Sequence, residues 1–418
     1  MKPFEGAYAG RILRVDLSTG RTTVEQLPYD FRSKYIGGRG FGSRLLFDLV
    51  GPDTEPLSPD NKLIFSVGAL FGTPAPAASR TTCTTKSPLS GLHGDAHSGG
   101  FFGGYMKSAG YDVLIIEAKA DHPVYLWIFD DKVEIKDARH IWGKTIQSTE
   151  EAIRGEVGGS DVQIAAIGPA GEHLVRYASI MNGSAAFARC GVGAVMGSKN
   201  LKAIAVAGTR PIKIADAEGL KRTMRQYWDV IKVDPYCPPA AKYGTPRFMT
   251  HRVKFGIHGA NNWRYGEFNW QPLSPDAFRE RHTIKAMSCP NCLMMCRRDM
   301  MIKDGPFKNT WAKVEWETIA RSMTMGIDDA EGVIRVAAAL NSLGLDCEST
   351  GNTIAWAMEC FEKGILTLDD IGGVPMAFGN VNAIMQVIDL IAHRKSIGDL
   401  LAEGTRIASR KLGRGSEI

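Results

Sequence analysis

Hydrophobic and polar positions along this chain change period near its midpoint. From Arg11 to Leu17 apolar and polar residues alternate, Ser18-Thr19-Gly20 supplies a turn, and Thr22 to Leu27 alternates back. Period two with a turn between predicts a β-hairpin over 11–27. Apolar runs at 62–67, 111–118, 124–128, 132–135, 162–167 and 201–206 predict further strands, and 149–157 a helix. Beyond Pro211 the period becomes helical. Helices are expected over 217–233, 352–363, 382–393 and 397–412, and over a stretch containing Ile334, Ala337 and Leu343 that Gly344 would close. Residues 234–276, rich in Pro, Gly, Asn and Trp, read as a loop. The expectation is an α+β protein: a sheet-rich domain over 1–210 and a mostly α-helical domain over 211–418.

Composition narrows the class. The chain has 418 residues, 44% hydrophobic and 23% charged, as in a globular protein of two or three domains. A net charge of +5 argues against nucleic acid as the main partner. No apolar run reaches the roughly 20 residues of a membrane span. Eight cysteines are too sparse for a disulfide scaffold, which favours a reducing, cytoplasmic setting. Glycine is the outlier: 46 residues, concentrated before residue 210.

Two glycine-dense stretches carry candidate chemistry. One runs from Gly68 through Arg80, Thr81 to Pro88 and Asp95 to Gly104; the other is Ala188 to Asn200. Small residues, hydroxyls and cations suit a surface that cradles a flat anionic ligand through backbone N–H groups, or simply a tight strand-and-turn region. Gly37-Gly38-Arg39-Gly40-Phe41-Gly42 lacks the spacing and the βαβ context of a dinucleotide-binding loop.

The sharpest signal is Cys289, Cys292 and Cys296, in the pattern C-x2-C-x3-C. Three thiolates this close in sequence converge on a metal at little entropic cost. Soft sulfur selects an iron–sulfur cluster, zinc or copper(I). No second CxxC or His pair follows, which favours iron–sulfur over a zinc knot, and three buried structural cysteines are the remaining alternative. Arg297 and Arg298 follow directly and would offset the charge of a thiolate-bound cluster.

With these residues in view, the chain resembles the tungsten-containing aldehyde:ferredoxin oxidoreductases along its whole length. The resemblance rests on Gly10 to Gly20, Thr85 to Gly91, Lys107 to Asp112, Ala166 to Glu172, Gly191 to Leu201, the cysteine triplet, and Leu343-Gly344-Leu345-Asp346. It implies a tungsten or molybdenum ion held by two pterins on an N-terminal base domain, a nearby [4Fe–4S] cluster, and a magnesium ion bridging the pterin phosphates. Position by position, it assigns Cys289, Cys292 and Cys296 to the cluster and Arg80 to a place beside pterin and cluster. His97 and the carbonyl of Ala186 are assigned to magnesium, Arg189 to phosphate, and Asn341, Gly344, Leu345 and Asp346 to the pterin. Glu317 becomes the carboxylate near the metal that handles protons. The implied reaction is oxidation of an aldehyde to a carboxylic acid, with electrons passed to ferredoxin or an iron–sulfur subunit.

Departures from the family pattern shape the rest. Its third domain, with a fourth cluster cysteine and a histidine, is expected to be missing, leaving a fragment or a chain completed by a partner. Cys347, then Cys360 and Cys190, are the internal substitutes. Arg335 stands where a Glu-x-x-His iron site would need glutamate. The chain is also similar to the tungsten subunit of class II benzoyl-CoA reductases, by Phe268-Asn269-Trp270 and the Met-rich cysteine loop, which implies an aromatic acyl thioester as the alternative substrate. A non-catalytic, cofactor-carrying subunit is the third reading.

Overall fold

The structure, a computed structural model, describes residues 6–159 and 161–418. It divides into two compact units, one of residues 1–231 with 289–292, the other of 232–288 with 293–418. The expected boundary at 210 and the observed one differ by about one helix, and four residues of the cysteine motif group with the first unit.

The first unit begins β1 (Arg11–Asp16), β2 (Thr22–Gln26), α1 (Tyr29–Tyr35), α2 (Arg39–Leu49), β3 (Leu63–Val67), β4 (Thr81–Lys86), β5 (His93–Ser98), α3 (Phe102–Ser108) and β6 (Val113–Glu117). It continues with β7 (Val124–Phe129), β8 (Lys132–Asp137), α4 (Ile146–Val157), β9 (Gln163–Ala166), α5 (Pro169–Glu172), β10 (Ile180–Asn182), β11 (Ala185–Phe187), α6 (Val192–Ser198), β12 (Leu201–Ala207) and most of α7 (Ala217–Val233). Six strands form one sheet in the order β2-β1-β6-β3-β4-β5, and six another in the order β11-β10-β9-β12-β7-β8. Pairing is antiparallel except for β1 with β6 and β7 with β12.

Strand alternation explains the layering. Leu13, Val15, Leu63, Phe65, Leu114 and Ile116 face a core shared with Leu126, Ile128, Ile204 and Val206 of the second sheet. Their neighbours Ile12, Ile64, Val113 and Ile115 face the other way, onto Phe41 and Leu46 of α2. Ile164, Ala203 and Ala205 likewise meet Ile146 and Ile153 of α4. Strands buried on both faces read as unbroken apolar runs such as Leu63 to Phe65, which is why the sequence marks them so plainly. The expected glycine-rich loop at 188–200 is instead mostly α6. Its glycines are packing residues: a Cβ on Gly193 would meet the Ser179 carbonyl at 2.5 Å and one on Gly197 the Gly171 carbonyl at 2.0 Å.

The second unit contains α8 (Cys237–Tyr243), α9 (Phe248–Lys254), α10 (Pro275–Ala277), β13 (Thr283–Met287), β14 (Arg297–Met301), β15 (Trp311–Val314), α11 (Trp316–Thr324), α12 (Ala330–Leu343), α13 (Cys347–Glu362), α14 (Val381–Ala392), α15 (Ile397–Leu401) and α16 (Thr405–Leu412). Helices predominate, as the period predicts. Three departures stand out. The stretch 234–276 carries α8 and α9. A three-stranded antiparallel sheet, β13-β14-β15, surrounds the cysteine motif in sequence. The helix expected over 397–412 breaks at Gly404, whose φ is +82°. Among the described residues no helix is long and apolar enough to cross a membrane.

Candidate metal and cofactor site

The cysteine motif is a hairpin loop. Met287 pairs with Arg297 across β13 and β14, so residues 288–296 connect the two strands and the thiols share one turn. All eight cysteines are free thiols. Residues 289–292 dock on the loop after β3. Asn291 donates its side-chain amide to the Thr73 carbonyl (2.9 Å) and accepts at its own carbonyl from Ala77 N–H (3.2 Å), while Ser79 donates to the Pro290 carbonyl (2.9 Å). Asn291 adopts a left-handed φ of +52°, which asparagine tolerates better than most residues.

These contacts bring the Cys289 sulfur to the end of β5, where it accepts a hydrogen bond from the Gly100 amide at 3.2 Å. A Cβ on Gly99 would stand 2.8 Å from that sulfur and 3.9 Å from a guanidinium nitrogen of Arg80. The glycine pair Gly99-Gly100 therefore makes room for sulfur rather than merely turning the chain.

An open cleft of about 500 Å³ lies in the same unit. Gly37, Gly38, Arg39, the segment Gly68 to Phe71, Arg80, Thr82 and His97 line it. Arg80 is exposed and makes no ion pair among the described residues, so its charge is available to an anion. Arg39 is held: it donates to the Asp95 carboxylate and lies 2.7 Å from Nε2 of His97. His97 Nε2 is also 3.0 Å from Asp95, and its Nδ1 is 3.0 Å from the Thr82 hydroxyl. Both ring nitrogens are thus committed within the protein. Burial holds the His97 pKa below its ordinary value, with help from the charges of Arg39 and Arg80 and against the pull of Asp95. For Asp95 burial pushes upward, but the hydrogen bond from Arg39 and the neighbouring positive charges outweigh it, leaving the carboxyl below its usual range.

Ala186 lies on β11 and His97 on β5. Each strand is an outer strand of its sheet, and the two pack side by side. Main-chain oxygen at such open edges is the donor type that magnesium takes, and an imidazole with both nitrogens engaged is not. Arg189 and Cys190 follow β11 in the chain, and Cys190 lies over β5: a Cβ on Gly94 would meet Cys190 Cβ at 2.8 Å.

Behind the cleft wall, the buried Lys107 donates to the carbonyls of Gly68, Ala69 and Phe71 at 3.1, 2.6 and 3.1 Å. It fixes the start of the loop that also receives Asn291. Sequence reading did not single out Lys107 or Arg39, and it marked Thr82 and Asp95 only as members of a glycine-dense stretch. Arg39 stood inside the run Gly37 to Gly42, and its four neighbouring glycines were the available signal.

In the second unit Cys296 immediately precedes β14, Glu317 lies on α11, Asn341 on α12, and Gly344, Leu345 and Asp346 link α12 to α13. Cys296 accepts at its carbonyl from Thr245 N–H (3.2 Å). Glu317, half-buried, lies in the first turn of α11, at the positive end of the helix dipole. Asn341 donates to the Lys313 carbonyl at 3.2 Å. Gly344 closes α12 in the left-handed conformation, φ +75° and ψ +45°. Asp346, 1% exposed, caps α13 by accepting from the amides of Glu348 (3.2 Å) and Ser349 (3.1 Å). The motif 341–346 thus carries a structural duty, joining two helices end to end.

Among the described residues no group of three or more His, Cys, Asp or Glu is gathered to hold a metal ion by geometry alone. What fits a cluster is the donor set: free thiols in one hairpin loop, one of them accepting a backbone N–H at a glycine cradle. What fits an anionic pterin is the cleft with its unpaired Arg80.

Comparison with known proteins settles the lineage. The model of the aldehyde ferredoxin oxidoreductase N-terminal domain matches residues 12–208, and that of domains 2 and 3 matches 222–418. The chain belongs to the aldehyde ferredoxin oxidoreductase family. It is 41% identical to a tungsten-containing aldehyde ferredoxin oxidoreductase of Pyrococcus abyssi, over 96% of this chain and 67% of that one. An aliphatic sulfonate oxidoreductase WOR-like subunit of Pyrococcus furiosus is 33% identical over 97% of this chain and 68% of its own length. A solved active-site complex BamBC of benzoyl coenzyme A reductase with 1,5-dienoyl-CoA matches with a TM-score of 0.89 and 35% identity, covering 99% of this chain and 64% of that chain. The chain spans about two thirds of the length of these relatives. The second family model is described as domains 2 and 3 together, so the expectation of a wholly missing third domain finds no support in it. The sheet-rich first part and helical second part agree with the family's two models.

Proposed function

We propose that this family member is a tungsten–pterin oxidoreductase that converts an aldehyde to a carboxylic acid and hands the electrons to ferredoxin or an iron–sulfur partner. The observation that carries the reading is the Cys289 sulfur seated at Gly99-Gly100, in the unit whose cleft is lined by Arg80 and His97. Cys289, Cys292 and Cys296 would hold a [4Fe–4S] cluster. Arg80 would pair with pterin and cluster, Arg189 with phosphate, and main-chain oxygen at His97 and Ala186 with magnesium. Asn341, Gly344, Leu345 and Asp346 would meet the pterin ring. When bound, the tungsten–pterin group supplies two-electron redox chemistry and the cluster one-electron transfer.

Oxidation of an aldehyde consumes one water and releases two protons and two electrons. Glu317, half-buried in the first turn of α11 with its Oε2 enclosed, would take a proton from the attacking water. A second reading, reductive loss of aromaticity in an acyl thioester, draws on the BamBC likeness. The test is metal analysis of the purified chain with two assays. Aldehyde-dependent reduction of a viologen dye supports the first reading, and thioester-dependent loss of aromatic absorbance the second. Zinc alone, with neither activity, sinks both and leaves a scaffold subunit.

A further inference from the structure

The second unit contains a buried cation without a carboxylate. Arg298 lies on the central strand β14, 2% exposed. One terminal nitrogen donates to the carbonyls of Met295 and Arg297, the latter at 2.9 Å. The other donates to the carbonyls of Ala240, at 3.4 Å, and Ala241. Those two belong to the last turns of α8, at the negative end of its dipole, and the Ala240 carbonyl also accepts from Gly244 N–H at 2.8 Å. Several buried or half-buried cations have acids beside them: Arg321 pairs with Glu348 at 3.1 Å, Lys202 with Glu172, and Lys107 feels Asp112. Arg247 instead stacks on Tyr236 and Phe248, and Lys199 donates to three carbonyls. Among the described residues Arg298 makes no ion pair, and Cys296 stands two residues before it in the chain.

Burying a cation without a counter-charge costs several kcal/mol. Carbonyl dipoles recover part of that. A cluster bound to the loop that this fork holds would supply the missing negative charge. The surroundings hold the pair tightly. A Cβ on Gly244, whose φ is +70°, would meet the Cys296 carbonyl at 2.6 Å and Arg298 Cγ at 2.9 Å.

We propose that Arg298 is a positioning residue for the Cys296 arm of the thiol loop, and that its uncompensated charge raises the reduction potential of the iron–sulfur cluster bound there. This rests on the reading of the loop as a cluster site. A fixed positive charge favours the reduced, more negative cluster, because net charge and burial set such potentials. The fork ties α8 to Met295, so it also orders the loop before the cluster is inserted.

The test uses the holo-protein and its Arg298→Gln and Arg298→Lys variants. Iron content, the cluster midpoint potential followed by electron paramagnetic resonance, and hydrogen–deuterium exchange of residues 295–298 are measured. Arg298→Gln is expected to favour the oxidised cluster by about tenfold, roughly 59 mV towards negative potential for one electron. Arg298→Lys keeps the charge and loses the fork, so it is expected to hold the wild-type potential while exchange of 295–298 accelerates. A potential that falls equally in both variants, or in neither, overturns the proposal. If Arg298→Gln does not fold, Arg298→Met, which also removes the charge, takes its place beside the lysine variant. Wild-type protein without iron overturns the cluster reading itself, a different result from iron with an unmoved potential.

Discussion

The Gly100 amide points its hydrogen at the Cys289 sulfur, 3.2 Å away across 189 residues of chain. Neither residue explains the contact alone. Gly99 must lack a side chain for the sulfur to arrive, and Asn291 must turn the loop so that it does.

Gly99→Ala tests that cradle. The added Cβ would lie 2.8 Å from the sulfur, so Cys289 must move. Overpacking of this kind costs about 1–3 kcal/mol. The expected outcome is a folded protein with most of its iron lost, read by metal analysis beside circular dichroism. A full iron complement in the variant would mean that Cys289 binds elsewhere or nothing.

Asp346 carries two assignments that substitution separates. Asp346→Ala removes the cap of α13 and is expected to cost about 1–2 kcal/mol in denaturant unfolding. Asp346→Asn keeps a side-chain oxygen for the cap. If the carboxylate also serves the pterin, the asparagine variant retains stability and loses tungsten; if its duty is only the cap, both metal and stability stay.

Glu317→Gln leaves the fold and the proposed cofactor ligands in place. Aldehyde turnover is expected to fall by about 10²–10⁴, the usual scale for a lost proton-transfer group, with tungsten and iron contents unchanged. Undiminished turnover would remove Glu317 from the chemistry.

Two buried lysines predict a pH dependence. Burial is the main cause that brings Lys107 down to about 8 and Lys199 down to about 7. In the unfolded chain both titrate near 10.4. Between the folded and unfolded values the unfolded chain holds protons that the folded chain has released, so this contribution to stability rises with pH and is lost as pH falls through 8 and then 7. The limiting slope is about 1.4 kcal/mol per pH unit for each proton. Above pH of about 8.5 the buried thiols Cys83 and Cys360, whose pKa values burial raises, act in the opposite sense. Denaturant midpoints from pH 7 to about 8.5 should therefore climb in the wild type. The Lys107→Met/Lys199→Met double variant should be less stable and show a flatter climb.

Periodicity by itself determined where most strands and helices lie, because residues buried on both faces of a sheet, or along one face of a helix, must be apolar at the matching spacing. It equally determined the thiol triplet, since ligand chemistry is written in residue type and spacing. What glycine was for could not be read from the chain. Gly193 and Gly197 look like Gly99 and Gly100 in sequence, yet the first pair lets α6 pack against backbone and the second admits a sulfur. That choice depends on which atoms arrive from elsewhere, and only the tertiary structure brings them. Lys107 and Arg39 were not singled out for the same reason: a lysine closing on three carbonyls, or an arginine pinned by an acid 56 residues away, leaves no local pattern.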